Sequence, residues 1–149
     1  MNKMILLVED NPDDEALTLR AIRKHMPYGI VVARDGAEAL EHLFGTGRRA
    51  GGEQAPAPLL VLLDLKLPKV NGLEVLRRMR EEAKTRSIPV IVFTSSTEEQ
   101  DILDSYRLGA NSYIRKPVDY GQFCENMKQV MNYWLVVNQL PPHRTCTAA

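Results

Sequence analysis

Several short apolar runs of this chain end in residues that could take part in phosphate or metal chemistry. The clearest is LLVLLD, residues 59–64, in which five aliphatic residues precede Asp64. A carboxylate at the end of a buried run is costly unless something outside the run uses it. Glu9 and Asp10 likewise follow MILLV, Thr94 follows VIVF, and Lys116 follows SYIR. Together these runs predict a site of three carboxylates, a hydroxyl and an ammonium.

Three carboxylates brought together would repel one another and drive a proton onto one of them, unless a cation lies among them. Hard oxygen ligands at a partly open site favour Mg²⁺, which keeps several waters and accepts phosphate oxygens. On this reasoning Asp64 is a metal ligand, a nucleophile, or both.

The elements that must position these side chains alternate between strands and helices. Apolar runs predict five strands, and apolar residues spaced three to four apart predict five helices between and after them. The predicted strands are 4–8, 30–32, 59–63, 89–93 and 112–114, and the helices are 13–26, 36–44, 73–83, 97–108 and 120 to about 138. This order predicts an α/β fold, a doubly wound parallel sheet with helices on both faces. Because such sheets carry their sites at the carboxyl ends of the strands, the polar strand ends should meet.

Composition limits the class of protein. The 149 residues suit one domain, and 19 basic residues balance 19 acidic ones, so no net field attracts nucleic acid or an anionic membrane. The apolar run at the start is too short for a signal peptide or a membrane span, which predicts a soluble, cytoplasmic protein. We expect one domain over 1–138 with a surface loop at 45–58, then a tail over 139–149 that is too short for an output domain.

Four motifs in this order resemble a known family. They are LLVEDNPDD, LLDLKLPKVNG, VIVFTSS and GANSYIRKP. Over residues 4 to about 133 the chain resembles a response regulator receiver domain, a family with a flavodoxin-like (βα)5 fold. The ending NYWLVVNQLPP is similar to that of stand-alone receivers serving bacterial phytochrome histidine kinases.

The resemblance implies a role for each strand-end residue. Asp64 is expected to accept a phosphoryl group from a phosphohistidine. Asp10, Asp64 and the backbone carbonyl of Lys66 are expected to hold Mg²⁺ or Mn²⁺, with Glu9 acting through a metal-bound water. Lys116 is expected to contact the phosphoryl oxygens.

A conformational switch is also implied. Thr94 is expected to shift toward the phosphoryl group and Tyr113 to move with it, and the Lys116–Pro117 peptide bond is expected to be cis. The Lys66 side chain departs from common receiver patterns, so pairing with Glu9, pairing with the phosphate and pointing to solvent all stay open. Asp14 lies in the first turn of the first predicted helix, where an acid stabilises the helix start. That structural role suffices to explain it, so we assign it no catalytic role.

Two interaction surfaces are predicted. Kinase docking is expected at Asn11, Pro12, Leu17, Arg20 and Val118, although Leu17 also suits the core and Arg20 also suits a solvated face. A homodimer is expected to use Ile102, Tyr106, Trp134, Leu135 and Val137. The alternatives are that the apolar end folds back onto its own subunit, or forms an extended arm across the other one.

The expected activity is signalling and not enzymatic turnover. The chain would catalyse its own phosphorylation and dephosphorylation only, acting through partner contacts or as a phosphate sink or relay intermediate. A haloacid-dehalogenase-like phosphatase is a remote alternative, because it needs an acid where Lys66 stands. A flavodoxin-like FMN binder is another, because Glu9 and Asp10 would repel its phosphate.

Overall fold

A computed structural model describes residues 4–25, 29–45 and 57–142, and it contains the predicted alternation of strands and helices. The elements are β1 (Met4–Val8), α1 (Pro12–His25), β2 (Gly29–Ala33), α2 (Gly36–Phe44), β3 (Leu60–Leu63), α3 (Gly72–Glu81), β4 (Val90–Thr94), α4 (Glu99–Arg107), β5 (Ser112–Arg115) and α5 (Tyr120–Asn132), followed by a π-helical turn (Tyr133–Val137).

The five strands form one parallel sheet in the order β2-β1-β3-β4-β5. The chain moves outward from β1 to β2, returns past β1 to β3, and then continues outward to β5. The strand order therefore reverses between β1 and β3, and ligands of such sheets bind beside the carboxyl ends at this switch point. The predicted fold class is confirmed.

Alternate residues of the strands enter two cores, one on each face of the sheet, because successive side chains of a strand point to opposite faces. Ile5 and Leu7 of β1 pack with residues of α1 and α5, including Ile22 and Met127. The opposite core also takes alternate β1 residues and joins them to α2 and α3; it includes Leu6, Val8, Ala39, Leu43, Val75 and Met79. Helices cover both faces of the sheet, so the loops that follow the strands are where its site should lie.

Four helices differ from prediction at their ends: α1 (Pro12–His25, predicted 13–26), α3 (Gly72–Glu81, predicted 73–83), α4 and α5. Helix α4 begins at Glu99, two residues later than predicted. Helix α5 leaves α geometry after Asn132, and the amide of Asn138 bonds to the carbonyl of Tyr133 at 2.6 Å in a wider π turn. An amphipathic pattern marks the exposed and buried faces of a helix but does not show such a change of hydrogen bonding.

Parts of two predicted segments lie outside the described residues: 46–56 of the loop at 45–58, and 143–149 of the tail. Within the ranges that the structure describes, no helix is both long and apolar enough to cross a membrane.

Candidate functional site

The predicted acids meet at the switch point of the sheet. The amide of Glu9 bonds to the carbonyl of Ala33 at 2.9 Å, and the amide of Asp64 bonds to that of Val8 at 3.0 Å. These bonds continue the ladders of β1 with β2 and of β3 with β1, so the residues after both strands are held by the sheet. Glu9 and Asp64 are consequently fixed and almost fully buried, with 2% and 5% of their surfaces exposed.

Glu9, Asp10 and Asp64 form an acidic cluster that could hold a metal ion. One oxygen from each lies within 4.8 Å of the others, with Asp10 exposed and the other two buried. Burial raises the pKa of Glu9 to about 8, and the charge of Asp64 adds to this shift. Such a cluster suits a hard divalent cation, whose charge would offset the repulsion between the carboxylates.

Lys116 places its ammonium within the acidic cluster. Its Nζ lies 2.5 Å from Glu9, 2.9 Å from Asp14 and 3.0 Å from Asp64. Burial lowers the pKa of Lys116, but these carboxylates outweigh burial and raise it overall. Burial likewise works against the charge on Asp64, yet Lys116 and hydrogen bonds from Glu9 and Thr94 hold its pKa below the ordinary value. Asp64 is therefore a charged carboxylate with a fixed cation beside it.

Asp14 is the contact that the sequence reasoning missed. Asn11 caps α1 by accepting hydrogen bonds from the amides of Asp13 and Asp14, as the helix-start pattern predicted. The same first turn then directs the carboxylate of Asp14 onto Lys116. The sequence did carry a signal for this contact. Asp14 lies in the first helical turn directly after Glu9 and Asp10, and that turn must lie at the same edge of the sheet as those two acids.

Thr94 and Tyr113 are joined through the loop after β4. Thr94 is fully buried, and its hydroxyl accepts a hydrogen bond from the amide of Ser96 at 3.4 Å. The hydroxyl of Tyr113 donates to the carbonyl of Ser96 at 3.1 Å. Both side chains expected to switch therefore contact one residue, and their movement stays a prediction.

Lys66 has a partner that was not among the alternatives considered from the sequence, and its pairing with a phosphate stays a prediction. Its ammonium lies 3.5 Å from Asp101 of α4, while its side chain stays 61% exposed. Its backbone amide donates to Asp64 at 3.3 Å, so the residue itself lies against the acceptor. The role of its carbonyl as a metal ligand stays a prediction.

The Lys116–Pro117 peptide bond is trans, so the expectation of a cis bond is wrong for this structure. The amide of Lys116 bonds to the carbonyl of Thr94 at 2.7 Å and extends the ladder between β4 and β5. This register already brings the side chain to the acids, and trans is the lower-energy form of most such bonds.

Four of the predicted docking residues are exposed around the site: Asn11, Pro12, Arg20 and Val118. Leu17 instead packs against the core of its own subunit, as its alternative interpretation held.

The predicted dimer residues also divide into exposed residues and residues that pack on the core. Trp134 and Leu135 pack on the core of their own chain, which agrees with the folded-back alternative for these two. Tyr106 and Val137 are 51% and 60% exposed, and Ile102 is partly buried. After α5 the chain continues as a π turn over Tyr133–Val137, so the described residues directly after Trp134 form no extended arm.

Comparisons with known proteins agree with this geometry. Rcp1, a response regulator of Synechocystis sp., is 34% identical over 140 residues, which are 93% of this chain and 93% of that protein. A solved structure of Rcp1 in its Mn²⁺-bound form has a TM-score of 0.87 at 34% identity, covering 94% of this chain and 99% of that one.

Two further solved structures are response regulators of phytochromes. The phosphorylated cyanobacterial phytochrome response regulator RcpA has a TM-score of 0.87 at 38% identity, covering 95% of this chain and 100% of that one. The bacteriophytochrome response regulator RtBRR has a TM-score of 0.72 at 48% identity, covering 95% of this chain and 86% of that one. The family model of the response regulator receiver domain matches residues 5–128. This chain therefore belongs to the response regulator receiver family.

Proposed function

We propose that this chain accepts a phosphoryl group on Asp64 from a sensor histidine kinase, in a reaction that requires Mg²⁺ or Mn²⁺. The observation that carries the proposal is the contact of Lys116 with Asp64, 3.0 Å apart, inside a cluster of acids that suits a divalent cation. A carboxylate kept charged by a neighbouring ammonium is a competent nucleophile, and that ammonium can also bind the incoming phosphoryl oxygens.

In the proposed transfer, an oxygen of Asp64 attacks the phosphorus of a phosphohistidine in line with the breaking P–N bond. The imidazole leaves with the electrons of that bond, and Asp64 becomes an acyl phosphate. Lys116 stabilises the negative charge on the transferring oxygens. Glu9, Asp10, Asp64 and the carbonyl of Lys66 would hold the metal ion, which supplies further charge neutralisation when bound. Thr94 supplies a hydroxyl donor to the phosphoryl group.

We propose a bacterial phytochrome as the kinase, in the cytoplasm. Similarity to RcpA and RtBRR, over nearly the whole of this chain, supports this assignment. We further propose that the signal is passed on by contacts with partners, one of which is a second copy of the chain. The exposed apolar residues of α4 and of the π turn support that contact.

The proposal is tested by labelling with acetyl phosphate, a small acyl phosphate that needs no kinase. We expect the protein to be labelled in Mg²⁺, with no labelling in EDTA or in Asp64→Asn. Asp13→Asn is a matched control, because Asp13 is exposed beside the site and should be labelled as in the wild type. Equal labelling of Asp64→Asn would falsify the assignment of the acceptor.

A further inference from the structure

The carboxylate of Asp101 joins two loops that border the acceptor. Its Oδ2 accepts a hydrogen bond from the hydroxyl of Ser96 at 2.5 Å, and the same oxygen lies 3.5 Å from the ammonium of Lys66. Ser96 belongs to the loop after β4, and Lys66 to the loop after β3. Asp101 lies in the first turn of α4, so one oxygen connects both loops to that helix.

Ser96 carries this connection to the interior of the site. It is 8% exposed, its amide donates to Thr94, and its carbonyl accepts from Tyr113. A carboxylate that holds the Ser96 hydroxyl therefore also restrains the backbone that both of these side chains contact. Asp101 thus helps to set the position of Thr94 beside Asp64.

Lys66 and Asp101 line one open groove of about 470 Å³ with Asp10. Asp10 is a member of the acidic cluster, so the groove lies between that cluster and α4. The backbone amide of Lys66 donates to Asp64 while its ammonium lies beside Asp101, so the residue lies between the acceptor and α4.

The balance of charge around Lys66 should change on phosphorylation of Asp64. The pair of Lys66 with Asp101 is weak, because the lysine is mostly exposed and the 3.5 Å separation is long. A phosphoryl group carries more charge than one carboxylate, about −1.5 to −2 near neutral pH, and offers three acceptor oxygens. It should therefore compete effectively for the ammonium.

We propose that Lys66 is a positioning residue that exchanges partners, pairing with Asp101 when Asp64 is unmodified and with the phosphoryl group when Asp64 carries one. This inference rests on the proposed phosphorylation of Asp64. In the unmodified protein Asp101 holds Lys66, so a phosphoryl group must displace this ion pair to bind the ammonium. In the modified protein Asp101 keeps Ser96 alone, so the first turn of α4 loses its link to the acceptor loop.

The test measures binding of beryllofluoride, a phosphoryl analogue, by calorimetry at saturating Mg²⁺ in the full chain. Lys66→Met should weaken binding about two- to fivefold, since an exposed cation is lost. Asp101→Asn should strengthen binding by a similar factor, because it releases Lys66 while its amide oxygen still accepts from Ser96. In the double variant the gain should disappear, leaving the affinity of Lys66→Met. Lys66→Arg keeps the cation and should recover most of the affinity that Lys66→Met loses.

Each other result has a definite meaning. If Asp101→Asn weakens binding equally with and without Lys66, Asp101 acts through Ser96 alone and the partner exchange is wrong. If all variants bind as the wild type does, the inference fails while the proposed function stands. A wild type that does not bind beryllofluoride in Mg²⁺ would overturn the proposed function together with the inference.

Discussion

Gly72 determines how closely α3 approaches the acceptor loop. A Cβ built on it would lie 2.3 Å from the carbonyl oxygen of Asp64 and 2.8 Å from the Cα of Leu65. Both atoms belong to the backbone, so no side-chain rotation relieves the clash. The amide of Gly72 also bonds to the carbonyl of Leu65 at 3.0 Å, which ties the helix to the loop at that point.

Gly72→Ala should therefore destabilise the protein and move the acceptor. We expect a loss of about 1–3 kcal/mol in the free energy of unfolding, as for other overpacked sites, and slower labelling by acetyl phosphate. Urea unfolding and the labelling rate measure the two effects. Gly121→Ala is the control: its Cβ would meet nothing nearer than 3.4 Å in α5, so it should be neutral or stabilise by up to about 1 kcal/mol. A Gly72→Ala protein of wild-type stability would contradict the packing argument.

The contacts of single residues could be predicted only where the sheet fixes them. Asp64 and Lys116 follow strands, and parallel strands must bring their carboxyl ends together, so the contact between these residues follows from strand order. Asp14 and Asp101 lie on helices, whose rotation and depth depend on packing against the sheet. The sequence could place Asp14 at the same edge of the sheet, but its contact with Lys116 and that of Asp101 with Lys66 depend on tertiary packing.

At the scale of elements, helices α1 and α5 are joined at the surface beside the site. Arg20 of α1 donates to the hydroxyl of Tyr120, the first residue of α5, at 3.1 Å. Val118, in the loop before α5, is 99% exposed. This link holds α1 and the loop after β5 together as one surface next to Asp64, and an apolar side chain so fully exposed suits contact with a partner.

Arg20→Glu should slow transfer from the kinase several-fold while sparing labelling by acetyl phosphate, because on the docking hypothesis the kinase contacts this surface and acetyl phosphate does not. The two rates are compared on the same protein preparation. Arg23→Glu is the control, since it makes the same change of charge on an exposed residue farther along α1 from the acceptor. If both donors slow together in Arg20→Glu, the residue supports the fold and the docking hypothesis is wrong.

The elements themselves were more predictable than their ends. Strand β1 and helix α2 match prediction residue for residue, because apolar periodicity begins and stops sharply there. For α2, Asp35 provides the N-cap and Gly45 the left-handed C-cap, signals that a sequence displays directly. The change from α5 to a π turn has no such signal, since YWLVV is apolar at four positions that a continuous helix would also accept.

At the scale of the whole molecule, apolar surface remains uncovered on the described part of the chain. Leu103 and Tyr106 of α4 are 55% and 51% exposed, and Val136 and Val137 of the π turn are 59% and 60% exposed. Trp134 and Leu135 do not contribute fully to this exposed apolar surface, because they pack on the core of their own chain. After α5 the dimer hypothesis therefore depends on Val136 and Val137 rather than on Trp134 and Leu135. A truncation that also removes Trp134 would damage the fold as well as the surface.

Replacing both valines, in Val136→Lys with Val137→Lys, should convert a dimer into a monomer that remains folded. Two ammonium groups in place of exposed apolar side chains would have to be desolvated in the contact, so dimer affinity should fall at least about tenfold. Light scattering after size exclusion gives the mass, and circular dichroism checks the fold. Val118→Lys makes the same change at an exposed valine beside Asp64 and should leave the dimer intact. A monomeric wild type, with and without beryllofluoride, would sink the proposal and leave Val136 and Val137 to contact another partner.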